Sequence, residues 1–87
     1  SRRADAPGLA IAPNPFNDSA VLAYDLGNAP RGSLAIFDVR GRLLRRWELT
    51  QARGHLRWTP DTAASGVYLL RLETSRGVAV QKASYVK

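Results

Sequence analysis

Apolar and polar residues alternate with a period of two along most of this chain, which is the pattern of half-buried β-strands. Between Ser19 and Leu26, Leu22, Tyr24 and Leu26 fall on one face and Val21, Ala23 and Asp25 on the other. From Leu34 to Leu49 the same alternation runs twice, broken at Asp38-Val39-Arg40-Gly41. Leu34 and Ile36 share a face opposite Ala35, Phe37 and Val39; beyond the break, Leu43, Arg45, Trp47 and Leu49 alternate with Arg42, Leu44, Arg46 and Glu48. The stretch predicts a central hairpin around which the other strands are added. Val67 to Thr74, with Tyr68, Leu70 and Leu72 on one face, and Val78 to Val86 predict a second hairpin, turned by Ser75-Arg76-Gly77. No 3.6-residue apolar period persists. Short strands at roughly 8–12-residue spacing predict an all-β, immunoglobulin-like β-sandwich of about seven antiparallel strands.

Turn chemistry sets the breaks. The Asp38 carboxylate is placed to accept hydrogen bonds from backbone N–H groups two or three residues on, and Gly41 supplies the positive φ of a type I turn followed by a bulge. Leu9 to Ala12 reads as a short strand running into Pro13-Asn14-Pro15-Phe16. Two prolines at alternate positions remove two donors, so this segment suits a sheet edge and not a central strand. Phe16 is expected to anchor its end in the core. Gly27 to Gly32, Thr50 to Gly54 and Thr59 to Gly66 are expected as loops, with His55 to Trp58 a strand between the last two. Trp47 and Trp58 are the largest side chains available for burial.

The chain of 87 residues is expected to be one domain, with residues 1–8 a linker from an upstream domain and 9–87 the folded unit. It contains no cysteine and no methionine, which excludes disulfides and thiolate metal sites. No apolar run approaches the roughly 20 residues of a membrane span. The net charge of +6 is concentrated: Arg40, Arg42, Arg45, Arg46, Arg53 and Arg57 lie in one stretch opposed only by Glu48. Such a basic patch suits an anionic partner such as lipopolysaccharide, acidic glycan or nucleic acid, or serves as a solvated face whose charges block sheet-to-sheet aggregation.

Catalytic chemistry finds little support. His55 is the one histidine and falls on the expected solvent side of its strand, with no nucleophile motif beside it. Ser65 precedes Gly66 without the strand–elbow–helix context of a hydrolase serine. Zinc lacks ligands, and calcium at Asp18 or Asp61 lacks a ligand repeat. No phosphate loop precedes a helix, and no cofactor is expected. The arginine run permits nucleic-acid binding but lacks interleaved aromatics at a recognisable site, so no nucleic acid is expected as a partner. Trp47, Trp58, Tyr24, Tyr68 and Tyr85 mostly fall on core faces, which argues against an aromatic carbohydrate-binding platform.

Pro13-Asn14-Pro15-Phe16, Leu22 to Leu26, Ile36 to Arg42, Gly66-Val67-Tyr68 and the terminal Lys82 to Lys87 occur in this order. The set resembles the C-terminal sorting domain (type A) of substrates of the bacterial type IX secretion system over residues 9–87. It is also similar to the immunoglobulin-like domain of the flagellar hook-capping protein. That pattern, however, usually continues from its tryptophan into Asp-Gly and a longer insertion, whereas Trp58 here is followed by Thr59-Pro60. The sorting resemblance implies a non-catalytic signal at the end of a secreted multidomain protein. It implies recognition by the secretion machinery in the periplasm, delivery to the cell surface or exterior, and removal by a sortase-like protease, often with attachment of cargo to anionic lipopolysaccharide. The residues on which recognition would rest are Pro13, Asn14, Pro15 and Phe16, then Gly66 and Tyr68, then Lys82 and Lys87. Each also has a plain architectural use: prolines protect an edge, glycines permit a turn, aromatics fill a core, and terminal lysines keep a strand soluble.

Overall fold

A computed structural model describes residues 6–60 and 64–86. It consists of strands β1 (Gly8–Ala12), β2 (Ala20–Asp25), β3 (Gly32–Phe37), β4 (Leu43–Leu49), β5 (Arg53–Trp58), β6 (Gly66–Thr74) and β7 (Gly77–Tyr85). They form two antiparallel sheets, one ordered β1-β2-β5 and the other β4-β3-β6-β7. This is the immunoglobulin-like sandwich expected from the alternation.

The alternating apolar positions become the two inner faces. Ala20, Leu22 and Tyr24 of β2 oppose Leu34 and Ile36 of β3 and Tyr68, Leu70 and Leu72 of β6, all of them buried. Leu22, Leu26, Leu34, Ile36, Leu70 and Leu72 are sealed completely from solvent. Burying one such side chain is worth about 1.5–3 kcal/mol, so these leucines and Ile36 account for much of the driving force of a domain without disulfides. Gly54 has a role that its sequence neighbours conceal. A Cβ there would sit 2.7 Å from Tyr24 Oη and 2.9 Å from Tyr24 Cζ, so the missing side chain is what lets the tyrosine lie across β5.

Four expectations need correction. Gly32 opens β3, and Arg53 and Gly54 open β5, so the expected loops are shorter than their turn-rich composition suggests. The hairpin at 34–49 is central only in its first half, because β4 ends its sheet. Three strands cannot cover four, and β4 is left overhanging: Leu43 and Leu44 are exposed, Trp47 is only half-buried, and Leu49 alone is buried. Finally, a bulge breaks the alternation in β4. Arg45 lies opposite Ile36 but Leu43 lies opposite Phe37, so Leu44 is the extra residue and Leu43 turns to the outer face with Phe37.

Candidate functional site: the corner around the final strand

Three of the five segments that carry the sorting resemblance are far apart in sequence and meet at one corner of the sandwich. Phe16 pairs in parallel with Tyr85, and Tyr85 pairs in turn with Gly66 on its other side. The four-stranded sheet is thereby extended beyond β7 by a short piece of the Pro13–Phe16 segment. Phe16 donates its N–H to Ser84 O at 2.9 Å, and Val86 donates to Phe16 O at 2.8 Å.

Between its flanking prolines, Asn14 does with its side chain what a strand does with its backbone. Its Nδ2 donates to Lys82 O at 3.0 Å, and its Oδ1 accepts from Ser84 N–H at 2.9 Å. A carboxamide presents one donor and one acceptor side by side, which matches the donor–acceptor pattern of a sheet edge. The peptide bonds before Pro13 and Pro15 are both cis. A third tie comes from β7 itself, where Gln81 Nε2 donates to Leu9 O of β1 at 2.9 Å. The open edge of β7 is thus closed by the short backbone bridge at Phe16 and by polar side chains rather than by a full strand.

Beneath this corner lies a row of aromatic rings. Phe16 stands 5.1 Å from Tyr85 and 5.4 Å from Trp58, and Trp58 meets Tyr68 edge-on at 5.5 Å. Each of these rings is buried, and tilted or edge-on contacts of this kind add about 0.5–1.5 kcal/mol per pair beyond area burial. The Tyr68 hydroxyl donates to Ala64 O, fixing the chain that enters β6. Phe16 therefore anchors the edge segment in the core, as its position among turn residues suggested. Gly66 opens β6 at the surface, and Lys82 projects from the exposed outer side of β7 opposite Leu69. Lys87 and Asp61 lie outside the described residues, as do residues 1–5 of the expected linker.

The turn at Asp38 forms as its residues dictate. Gly41 donates to Asp38 O at 3.0 Å with its own φ at +84°, a conformation that glycine adopts without steric cost. Asp38 Oδ1 accepts from the N–H groups of Arg42 and Arg40, both at 2.9 Å, and Oδ2 meets Arg42 Nε at 3.0 Å. The bond from the Arg42 backbone, with those from its guanidinium and the Arg40 backbone, holds the carboxyl below its ordinary value of 3.8.

The arginines do not form one flat patch. Arg40 and Arg42 sit on the turn, Arg45 on the inner face of β4, Arg46 on its outer face, and Arg53 and Arg57 on β5. Arg46 pairs with Glu48 at 3.0 Å, and Arg53 approaches Asp25 at 3.9 Å. Arg45 lies over the Trp47 ring at 4.7 Å from its centroid, which explains how a half-buried indole is tolerated at a sheet margin. A groove of about 580 Å³ opens between the Asp38 turn and the entry to β6, with Arg40, Arg42, Arg45, Trp58 and Tyr68 among its walls. His55 is exposed on β5 and Asp18 is exposed after Phe16. Among the described residues, no three metal-ligating side chains gather at one place. Trp58, Tyr24, Tyr68 and Tyr85 are buried, so no flat aromatic platform forms among them; the expected burial of Trp47 is the exception, because β4 has no strand beyond it.

The Asn14 clamp and the Gly54–Tyr24 contact escaped the sequence reading. An asparagine held between two prolines was a visible signal, but its partner strand lies about seventy residues away.

A family model described as the secretion system C-terminal sorting domain matches residues 10–86. Among solved structures, the chain is similar to PorZ of Porphyromonas gingivalis, described as an essential bacterial surface component of the type-IX secretion system. The TM-score is 0.72 at 23% identity over 92% of this chain. The chain spans 12% of the length of that protein, and at this identity the likeness establishes the fold. No curated protein sequence matches it.

Proposed function

The chain belongs to the secretion system C-terminal sorting domain family, and from that premise we propose that the corner around Tyr85 is the element that the secretion machinery reads. Domains of this family are non-catalytic, interact with the type IX machinery, and mark proteins secreted across the outer membrane to the surface or exterior. The finer proposal is that a folded shape is recognised: the Pro13–Phe16 edge, the Gly66–Tyr68 entry and the Lys82–Val86 strand presented together. The observation that carries it is their convergence on Tyr85, which Phe16 and Gly66 flank from either side. A corner held by Asn14 and by a buried aromatic row is pre-organised, so a partner gains contact without the cost of ordering it.

On this reading, the residues ahead of β1 join the domain to upstream cargo, a sortase-like protease removes the domain after passage, and the cargo is joined to anionic lipopolysaccharide; Gly8, expected in that linker, belongs to β1. The test is a reporter fused ahead of the domain in a host with type IX secretion. The intact domain carries the reporter to the surface. Removal of residues 82–87 strands it in the periplasm, and so does Lys82→Glu, a surface change that leaves the fold intact by circular dichroism. Surface delivery by both altered forms would end the proposal.

A further inference from the structure

The two sides of the sandwich are finished differently. On one side β1 and β7 are tied together through Gln81, Asn14 and Phe16. On the other, β4 ends its sheet as a seven-residue strand with only Leu49 buried. From this contrast we infer that the β4 edge receives an extended, acidic segment of a partner protein as an added strand. An open edge presents backbone N–H and C=O groups in register, and a chain laid along it gains main-chain hydrogen bonds.

Charge selects the occupant. The stretch from Asp38 to Glu48 carries Arg40, Arg42, Arg45 and Arg46 against those two carboxylates. Arg45 stands on the inner face of β4 and Arg46 on the outer face, where it already pairs with Glu48 at 3.0 Å, so an added strand meets an arginine whichever way its side chains point and the inner one is the less compensated. A second copy of the chain paired edge to edge about Arg45 and Arg46 would set these arginines against their own counterparts, which is destabilising; glutamates in the same positions are favoured. Trp47 adds an apolar contact. It is half-buried because no strand lies beyond it, and an aliphatic side chain on the inner face of an added strand would cover it. The β5 edge is less suited, since Arg53, His55 and Arg57 all share its outer face. The proposal concerns the side of the molecule opposite the Tyr85 corner and stands without it.

The test is an NMR titration of the isotope-labelled chain with a capped seven-residue peptide alternating glutamate and valine. Binding is expected to shift backbone amides along β4 and the Trp47 indole, and to weaken at least about tenfold when salt rises from about 50 to about 500 mM. A serine–valine peptide is expected to bind at least about tenfold more weakly, because its charge pairs are gone. Two further peptides carry N-methyl groups, one at every glutamate and one at every valine. An added strand donates from alternate amides only, so one of them loses binding at least about tenfold and the other keeps it. The same readings on Arg45→Gln/Arg46→Gln are expected to show a similar loss; should that variant misfold, the peptide series on the unaltered chain decides. The inference is overturned if the glutamate–valine peptide leaves β4 unshifted, if both methylated peptides behave alike, or if sulfated dextran shifts β4 and the peptide does not.

Discussion

Replacing Asn14 with alanine removes both arms of the clamp on β7 while leaving Phe16 in the core. The lost bonds are Asn14 Nδ2 to Lys82 O at 3.0 Å and Ser84 N–H to Asn14 Oδ1 at 2.9 Å. A net hydrogen bond is worth about 0.5–1.5 kcal/mol, and two give about 1–3 kcal/mol. Asn14 is exposed, so water replaces part of each bond, and the low end of that range, about 1–1.5 kcal/mol, is the expected loss. With a urea slope of about 1 kcal/mol per molar, the midpoint followed by tryptophan fluorescence should fall by about 1–1.5 M. Native-state amide exchange gives a local reading: the Ser84 amide should exchange about tenfold faster or more, since 1.4 kcal/mol is roughly a factor of ten. Asn14→Asp makes a sharper test. The carboxylate still accepts from Ser84 but sets a second oxygen against Lys82 O. Its neutral form is the one that donates there, so its folded pKa is raised above the ordinary carboxylate value. The variant's deficit relative to the parent should therefore shrink as pH falls through that folded value. If Asn14→Ala keeps the parent midpoint and Ser84 stays protected, the side chain is not a surrogate strand and the reasoning fails.

Other outcomes follow from the same structure. Gly54→Ala places a Cβ 2.7 Å from Tyr24 Oη, so the ring or the strand must shift. A loss of about 1–3 kcal/mol is expected in chemical denaturation, and an unchanged midpoint would mean the ring moves freely. Phe16→Ala removes the ring that joins Tyr85 to Trp58 and should cost about 3–5 kcal/mol, with Phe16→Leu recovering only part of it; a Phe16→Leu variant as stable as the parent would show that ring contacts add nothing. Asp38 has a lowered pKa, so its contribution is present above the ordinary value of 3.8 and fades as pH falls through the lower folded value. Asp38→Asn should thus lower the melting temperature at pH 7 and differ least from the parent in strong acid; a constant difference across that range would contradict the assignment. Glu48→Gln, which removes an exposed pair with Arg46, should change stability by less than about 1 kcal/mol.

The sequence alone determined which face of nearly every strand is buried. That property is local: side chains alternate, and Leu22, Tyr24, Ile36, Leu70 and Leu72 declare their side by spacing. The Asp38–Gly41 turn was equally legible, because a carboxylate and a glycine at that spacing satisfy the turn within a few residues. Phe16 announced itself as the one large apolar residue in a turn-rich stretch. Which strands lie at an edge is a different matter, since that depends on pairing between distant segments. The central-looking hairpin therefore concealed that β4 has a neighbour on one side only, and Trp47 was expected to be buried. The bulge that turns Leu43 outward is likewise settled between strands. Asn14 met Ser84 and Gly54 made room for Tyr24 only once the sheets had assembled. Alternation assigns a side chain to a face, but hydrogen-bond partners and contacts across strands are fixed by chain closure over tens of residues, which no local spacing encodes.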